Sequence, residues 1–224
     1  MRGMILDLDD TLYPRADFMR SGFEAVAQYV AHSWRLERDA VFFTLSVARA
    51  TGLQGREFQF MCEEHRLPLS VVPALVDVFR AHQPVLALDG EVRRALRALR
   101  REGWTVAVLT NGDPAVQRNK IAALGLEPLV DHVLYAEEHA PGGKPDAAAF
   151  EVALNRLQIP PSRCVAVGDD PVRDIGGAAA LGLRTIQVLA AAATGRVEAD
   201  AVVAAFPDVP RRANLLVSET ADAA

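Results

Sequence analysis

Two kinds of apolar pattern alternate along most of this chain. Near the N-terminus, Met4, Ile5 and Leu6 form a short apolar run that carboxylates follow at once, which predicts a buried strand ending at a polar site. After about residue 87, further runs of β-branched and apolar residues predict more strands. These runs cover residues 105–109, 133–135, 164–167, 185–189 and 201–203, and we expect the last two to be edge strands.

The segments between these strands have helical spacing. Apolar residues recur three and four positions apart in residues 92–99, 116–124, 150–157 and 175–181, and a glycine or proline follows each segment. Helices that connect successive strands imply right-handed crossovers in a parallel sheet. The predicted fold class is therefore α/β, with a doubly wound, Rossmann-like parallel sheet.

Residues 16–83 differ from the rest because they contain no strand pattern. Apolar residues at helical spacing, from Met19 onwards, are interrupted by glycines and prolines, which predicts about four helices packed as a small bundle. The bundle follows the first strand directly. We therefore expect a core domain of residues 1–14 and 87–224, with a helical domain of residues 15–86 inserted into it.

Composition and charge limit the kinds of partner. The chain has 224 residues and a net charge of −5, and its basic residues are scattered, which argues against nucleic-acid binding. No apolar run approaches the ~18 residues of a membrane span, and aspartates interrupt the N-terminal segment where a signal peptide would be apolar. Two cysteines cannot form a disulfide framework. Composition thus favours a cytoplasmic, enzyme-sized chain with no nucleic-acid or membrane partner, and we expect a monomer or a homodimer.

The basic residues are unevenly divided, because 22 are arginine and only Lys120 and Lys144 are lysine. Lys120 falls on the helix expected at 116–124, where we expect it at the surface or in a capping position. Lys144 follows two glycines and precedes a proline, ahead of another helix. A compact ammonium differs in its chemistry from the guanidinium fork, so the position of Lys144 is informative.

Polar and charged residues occur at the predicted carboxyl ends of strands, where open parallel sheets bind ligands. Asp7 and Asp9 follow the first strand, and Asp169 follows the strand at 164–167, with Asp174 further on. Carboxylates so close repel unless a cation neutralises them, and hard oxygen ligands suit Mg²⁺. The remaining donors suit an anionic group such as phosphate. They are the Thr110 hydroxyl, the backbone amides of Asn111 and Gly112, and the Lys144 ammonium.

Four motifs follow one another along the chain. Residues 7–12 read Asp-Leu-Asp-Asp-Thr-Leu, and residues 108–112 read Val-Leu-Thr-Asn-Gly. Residues 143–146 read Gly-Lys-Pro-Asp, and residues 167–170 read Val-Gly-Asp-Asp, followed at 174–178 by Asp-Ile-Gly-Gly-Ala. In these motifs and their order the chain resembles the haloacid dehalogenase superfamily, in its phosphatase branch with an α-helical (C1-type) cap. The resemblance covers almost the whole chain.

This resemblance implies a role for each matched residue. Asp7 would attack phosphorus, form an aspartyl-phosphate and also ligate Mg²⁺. Asp9 would protonate the leaving oxygen and then accept a proton from water, while its backbone carbonyl reaches the metal. Lys144 would neutralise charge on Asp7 and on the phosphate. Asp169 would ligate Mg²⁺ directly, and Asp174 would act through water or orient Lys144.

Other residues are assigned to substrate binding. Thr110, Asn111 and Gly112 would bind phosphoryl oxygens through the hydroxyl and the backbone amides. The cap of such enzymes closes over the leaving group, and Arg15 and Arg56 are the candidates in residues 15–86 to contact it.

Some alternatives remain open at this level. Asp170 stands where the family often has Ser, so it is a supporting group, a loop cap, or exchanges roles with Asp169. The presence of Asp9 disfavours dehalogenation, which has no leaving oxygen to protonate. The leading interpretation is a Mg²⁺-dependent phosphatase that acts on a small phosphorylated metabolite, with phosphoglycolate, nucleoside monophosphates and sugar phosphates all open. The alternatives are a sugar-phosphate mutase of the same superfamily and a non-enzymatic phospho-acceptor module.

Overall fold

The computed structural model describes residues 1–189 and 198–221, except for the side chains of 218–221. Contacts between Cα atoms divide the chain into two compact units. One consists of Met1–Arg15 with Ala87–Ala224, and the other consists of Ala16–Leu86.

The first unit contains a six-stranded sheet in which all neighbouring strands are parallel. The strand order is β3-β2-β1-β4-β5-β6. This arrangement confirms the predicted α/β parallel sheet. The expectation that the fifth strand lies at an edge is wrong, because β5 pairs with both β4 and β6. The strands are β1 (Arg2–Leu6), β2 (Trp104–Thr110), β3 (His132–Tyr135), β4 (Cys164–Gly168), β5 (Arg184–Val188) and β6 (Ala201–Val203).

The described residues form nine α-helices: α1 (Arg15–Trp34), α2 (Arg38–Ala50), α3 (Glu57–Glu64), α4 (Val72–Ala81), α5 (Gly90–Arg101), α6 (Pro114–Leu124), α7 (Ala147–Leu157), α8 (Gly177–Ala179) and α9 (Val209–Ala221). A π-helical turn at Pro171–Gly176 leads into α8, so the single helix expected at 175–181 is a tight turn and one short helix. Helix α9 is not among the helices expected from the sequence, although Val209, Ala213 and Leu216 are buried at helical spacing. None of the described helices combines the length and apolar character that a membrane crossing requires.

Helices cover both faces of the sheet. Side chains alternate between faces along a strand, so Ile5, Ala107 and Ala166 share one face, where they pack with Phe150 of α7 in one apolar cluster. The opposite face carries the intervening strand residues, such as Val106. On that opposite face, α5 packs against β2, and α9 packs against β5, β6 and α5. The central strands are therefore buried on both faces, which explains their nearly continuous apolar sequences.

The second unit contains the four helices expected between residues 16 and 83, which are α1 to α4. Its buried core is formed by apolar residues of all four helices. Phe79 lies at the centre of an aromatic group and contacts Phe18, Phe23 and Phe58 at ring-centroid distances of 5.5, 6.1 and 5.7 Å. Gly22 allows this packing, because a Cβ there would lie 2.2 Å from the Phe79 ring.

Candidate active site

The carboxyl ends of β1 and β4 lie side by side and carry the first site residues. The Asp7 amide donates to the Val167 carbonyl at 2.9 Å, immediately after the last paired residue of β1. Lys144 Nζ lies between two carboxylates, donating to Asp7 Oδ1 at 2.6 Å and to Asp174 Oδ1 at 2.7 Å. Both Lys144 and Asp174 are buried, with 3% and 4% of their surface exposed. Lys144 thus connects the first and fourth motifs.

Three carboxylates come together beside Lys144. Asp7, Asp169 and Asp174 each offer an oxygen atom, and these atoms all lie within 4.8 Å of one another. The π-helical turn brings Asp174 back toward the strand end, so close that a Cβ on Gly168 would lie 2.3 Å from its Cγ. A residue larger than glycine at 168 would therefore displace the carboxylate.

Asp170 does not belong to this group of carboxylates. Its side chain accepts from the amides of Val172 and Arg173 at 2.9 and 2.8 Å, and so caps the π-helical turn. Its own amide donates to Asp174 Oδ2 at 3.0 Å. Of the alternatives for this residue, the structure supports a loop cap, and it groups Asp169 rather than Asp170 with Asp7 and Asp174.

Two carboxyl groups at this site, those of Asp7 and Asp169, have raised pKa values. Burial raises the pKa of Asp7, and the charges of Asp174 and Asp9 raise it further, while Lys144 opposes them. Burial and the neighbouring Asp174 and Asp10 raise the pKa of Asp169 to about 7. Burial works to lower the pKa of Lys144, but Asp7 and Asp174 outweigh it and raise the pKa. One ammonium is therefore shared by a group of carboxylates that a further cation would stabilise.

Asp9 has a separate set of donors. Lys120 Nζ donates to both of its oxygens at 2.8 Å, Tyr13 Oη donates to Oδ1 at 2.6 Å, and Gln117 Nε2 donates to Oδ2 at 3.0 Å. Burial would raise the pKa of Asp9, but Lys120, Tyr13 and Gln117 together outweigh it and lower the pKa. Asp7 and Asp9 of the first motif thus have different partners and opposite pKa shifts.

The expectation that Lys120 lies at the surface or in a capping position is wrong. Only 4% of its surface is exposed, and it bonds to Asp9, 111 residues away in sequence. Gln117 lies one helical turn earlier and is also buried. The helix that carries both begins immediately after the second motif, where Asp113 caps it by accepting from the amides of Ala115 and Val116. The scarcity of lysine, which was used only for Lys144, is the signal in the sequence that could have singled out Lys120 as well.

Gln117 also reaches the hydroxyl of the second motif. Its Nε2 donates to Thr110 Oγ1, so a single side chain contacts both Thr110 and Asp9. Thr110 is buried at the carboxyl end of β2. The structure therefore brings Thr110 and Asp9 into one hydrogen-bonded group, as the positions of their strands imply.

Asn111 holds the loop that carries Lys144. Its Oδ1 accepts from the Lys144 amide at 2.8 Å, and its Nδ2 donates to the Lys144 carbonyl at 2.9 Å. Gly143 has a φ of 65° and a Cβ there would lie 2.5 Å from Asn111 Oδ1, so both its conformation and its space call for glycine. The side chain of Asn111 acts on the loop, whereas the sequence indicated only its backbone amide.

The other sequence-predicted binding residues have simpler surroundings. The Gly112 amide donates to Glu137 Oε1 at 3.1 Å. Arg15 is exposed, and its backbone amide donates to Asp10 Oδ1 at 2.9 Å. Arg56 lies in the second unit, where it is exposed and precedes α3.

The chain is similar to known proteins over most of its length. Residues 1–182 match the family model of the haloacid dehalogenase-like hydrolases. A ribulose-1,5-bisphosphate 5-phosphatase from Halopiger xanaduensis is 31% identical, over 82% of this chain and 82% of its own length. A phosphoserine phosphatase from Thermus thermophilus is 28% identical, over 84% of this chain and 88% of its own. The solved structure of a 2-haloacid dehalogenase from Pseudomonas syringae pv. Tomato DC3000 has 25% identity and a TM-score of 0.64, with 98% and 99% of the two chains covered.

Proposed function

Because this chain belongs to the haloacid dehalogenase-like hydrolases, we propose that it is a Mg²⁺-dependent phosphatase that hydrolyses a small phosphorylated metabolite through an aspartyl-phosphate on Asp7. The observation that carries this proposal is the arrangement of two carboxylates, with Asp7 beside Lys144 in the carboxylate cluster and Asp9 beside Lys120. Phosphoryl transfer to a carboxylate needs one group to attack and another to handle the proton. Two of the similar proteins are phosphatases, which supports the same reaction class.

Asp9 favours a phosphatase over a dehalogenase. The leaving group of a phosphate ester is an oxygen that needs a proton, whereas a halide leaves without one. The partly buried Asp9 carboxylate is held by donors on both oxygens, and a reaction without proton transfer to the leaving group would give it no role.

The oxygen atoms of Asp7, Asp169 and Asp174 fit a divalent cation, because they are hard ligands that lie within 4.8 Å of one another. These residues would hold Mg²⁺ together with the backbone carbonyl of Asp9. When bound, Mg²⁺ would offset negative charge on the phosphoryl oxygens.

Asp7, Lys144 and Asp9 have separate roles in the proposed reaction. Lys144 occupies Oδ1 of Asp7, which leaves Oδ2 to attack phosphorus. A bond forms between Oδ2 and phosphorus, and the bond from phosphorus to the leaving oxygen breaks. Asp9, which must be in its protonated form at this step, transfers its proton to that oxygen. Water then attacks phosphorus while Asp9 accepts its proton, and Asp7 is released with inorganic phosphate.

Substrate binding is assigned to three neighbouring residues and to the helical segment. Thr110, Asn111 and Gly112 would bind the phosphoryl oxygens, and we propose that residues 15–86 form a cap over the leaving group. Arg15 and Arg56 are the candidates to contact that group, and their exposure is compatible with this role. The expected compartment is the cytoplasm, which is consistent with two free, buried cysteines.

The Asp7→Asn variant tests this function with para-nitrophenyl phosphate as substrate. We expect release of inorganic phosphate by the native protein with Mg²⁺, its loss with a chelator, and no turnover by the variant at unchanged thermal stability. Asp77→Asn, which removes an exposed carboxylate of α4, is the matched control and should keep native turnover. Undiminished activity of Asp7→Asn would exclude the mechanism. Transfer to a second hydroxyl of a hexose phosphate would instead identify a mutase, and a stable phosphoprotein without release would identify a phospho-acceptor module.

A further inference from the structure

Both lysines of this chain are buried, and each pairs with a carboxylate of the first motif. Lys144 contacts Asp7, and Lys120 contacts Asp9. Lys144 already has a role in the proposed reaction, because it balances the attacking carboxylate. Lys120 has none, although it is 4% exposed against 3% for Lys144 and its Nζ lies 2.8 Å from Asp9 Oδ2.

A buried ammonium is costly unless its partners compensate for the loss of water. Lys120 is 4% exposed, and its Nζ donates to both oxygens of Asp9 at 2.8 Å. Arginine supplies almost all the positive charge of this chain, yet this position holds a compact ammonium that fits against both oxygens of one carboxylate. The size and the position of the Lys120 ammonium therefore match the Asp9 carboxylate.

The contacts around Asp9 restrict its orientation. Lys120 donates to both oxygens, Tyr13 adds a bond to Oδ1, and Gln117 adds a bond to Oδ2. Donors on both oxygens fix the plane of the carboxylate, which a single donor cannot do. Of the three donors Lys120 alone carries a charge, so its bonds are the strongest.

We propose that Lys120 is a positioning residue, which holds the Asp9 carboxylate in the orientation from which it exchanges a proton with the leaving group. This inference rests on the proposed phosphatase function. Lys120 acts through Asp9, and no step of the reaction forms or breaks a bond to it. Its loss leaves Asp9 with only the neutral donors Tyr13 and Gln117, whose weaker bonds hold the carboxylate less firmly, so proton transfer suffers more than attack by Asp7.

Two substrates that differ only in their leaving group test this role. Para-nitrophenolate is a stable anion and needs little help from a proton, whereas phenolate needs more. We expect Lys120→Met to lose about tenfold more kcat/KM on phenyl phosphate than on para-nitrophenyl phosphate, which is within the range of general-acid effects. We expect Lys120→Arg to recover part of that difference, because it restores a charged donor. Arg118→Met, which removes an exposed cation from the same helix, should leave the ratio between the substrates unchanged.

The outcomes separate this proposal from its alternatives. An ion pair that only stabilises the fold predicts equal losses on both substrates, and that result would overturn the positioning role. The double variant Asp9→Asn with Lys120→Met should show the same substrate ratio as Asp9→Asn alone, since Lys120 acts only through Asp9. If Lys120→Met does not fold, Lys120→Gln provides the same comparison with a neutral donor. No hydrolysis of either ester by the native protein would instead count against the phosphatase function.

Discussion

The Asn111 side chain forms hydrogen bonds with both backbone polar groups of Lys144. It accepts from the Lys144 amide at 2.8 Å and donates to the Lys144 carbonyl at 2.9 Å. The second and third motifs, 33 residues apart in sequence, are thus joined by one side chain. The position of the Lys144 ammonium between Asp7 and Asp174 depends on this loop. Asn111 is therefore expected to affect catalysis through the loop it holds.

Asn111→Ala should release the loop and shift Lys144 away from Asp7. We expect kcat to fall by between about 10- and 100-fold, since small displacements of catalytic groups have effects of this size. The free energy of unfolding should fall by about 1–3 kcal/mol, because polar backbone groups lose a partner. Steady-state kinetics and urea unfolding measure the two effects. Asn155→Ala, at an exposed position of α7, is the control, and a variant that loses stability but retains kcat would show that the loop is positioned by other contacts.

Lys144→Arg should lose most activity although the charge is kept. The ammonium fits between two carboxylates at 2.6 and 2.7 Å in a site where 3% of the residue is exposed, and a guanidinium fork needs more space. We expect kcat to fall about 100-fold. The reverse exchange at an exposed position, Arg156→Lys, is the control and should leave kcat unchanged. Turnover near the native value in Lys144→Arg would mean that charge alone is required at this position.

Mg²⁺ should raise the melting temperature of the native protein by about 5–10 °C when it is present at roughly 100 times its dissociation constant. Asp169→Asn should abolish this rise, because it removes one of the clustered oxygen ligands. Asp170→Asn should keep the rise, since Asp170 caps the neighbouring turn and does not belong to the cluster. Thermal melts with and without Mg²⁺ compare the two variants directly. The opposite result, with the rise lost only in Asp170→Asn, would exchange the roles of the two aspartates.

Asp200 should contribute to stability in a way that depends on pH. Partial burial would raise its pKa, but hydrogen bonds from Arg184 and Thr185 outweigh this effect and hold the pKa below the ordinary value of 3.8. A carboxyl group with a lower pKa in the folded protein stabilises the fold above its unfolded-state pKa and loses this effect as pH falls through the folded-state value. Asp200→Asn should therefore lower the melting temperature at pH 7, and its difference from the native protein should shrink below about pH 4. A difference that stays constant with pH would show that the carboxylate charge plays no part.

Much of the core could be predicted from the sequence, because a strand buried on both faces requires a continuous apolar run. The runs at residues 105–109, 164–167 and 201–203 correspond closely to β2, β4 and β6. Carboxyl ends of parallel strands share one edge of the sheet, so the closeness of Asp7 and Asp169 also followed from the sequence.

Other features were decided only by the tertiary structure. The interior position of β5 depends on its pairing with β6, and pairing leaves no mark in an apolar run. The choice between Asp169 and Asp170 depends on the direction of a turn. Lys120 bonds to a residue 111 positions away, and Asn111 bonds to one 33 positions away. No local pattern indicates which face of α6 lies toward Asp9 or which loop Asn111 contacts. The sequence by itself determined which chemical groups stand at the strand ends, because local burial dictates the strands. The tertiary structure decided which of those groups form hydrogen bonds with one another, because hydrogen bonds between distant segments exist only once the segments have packed.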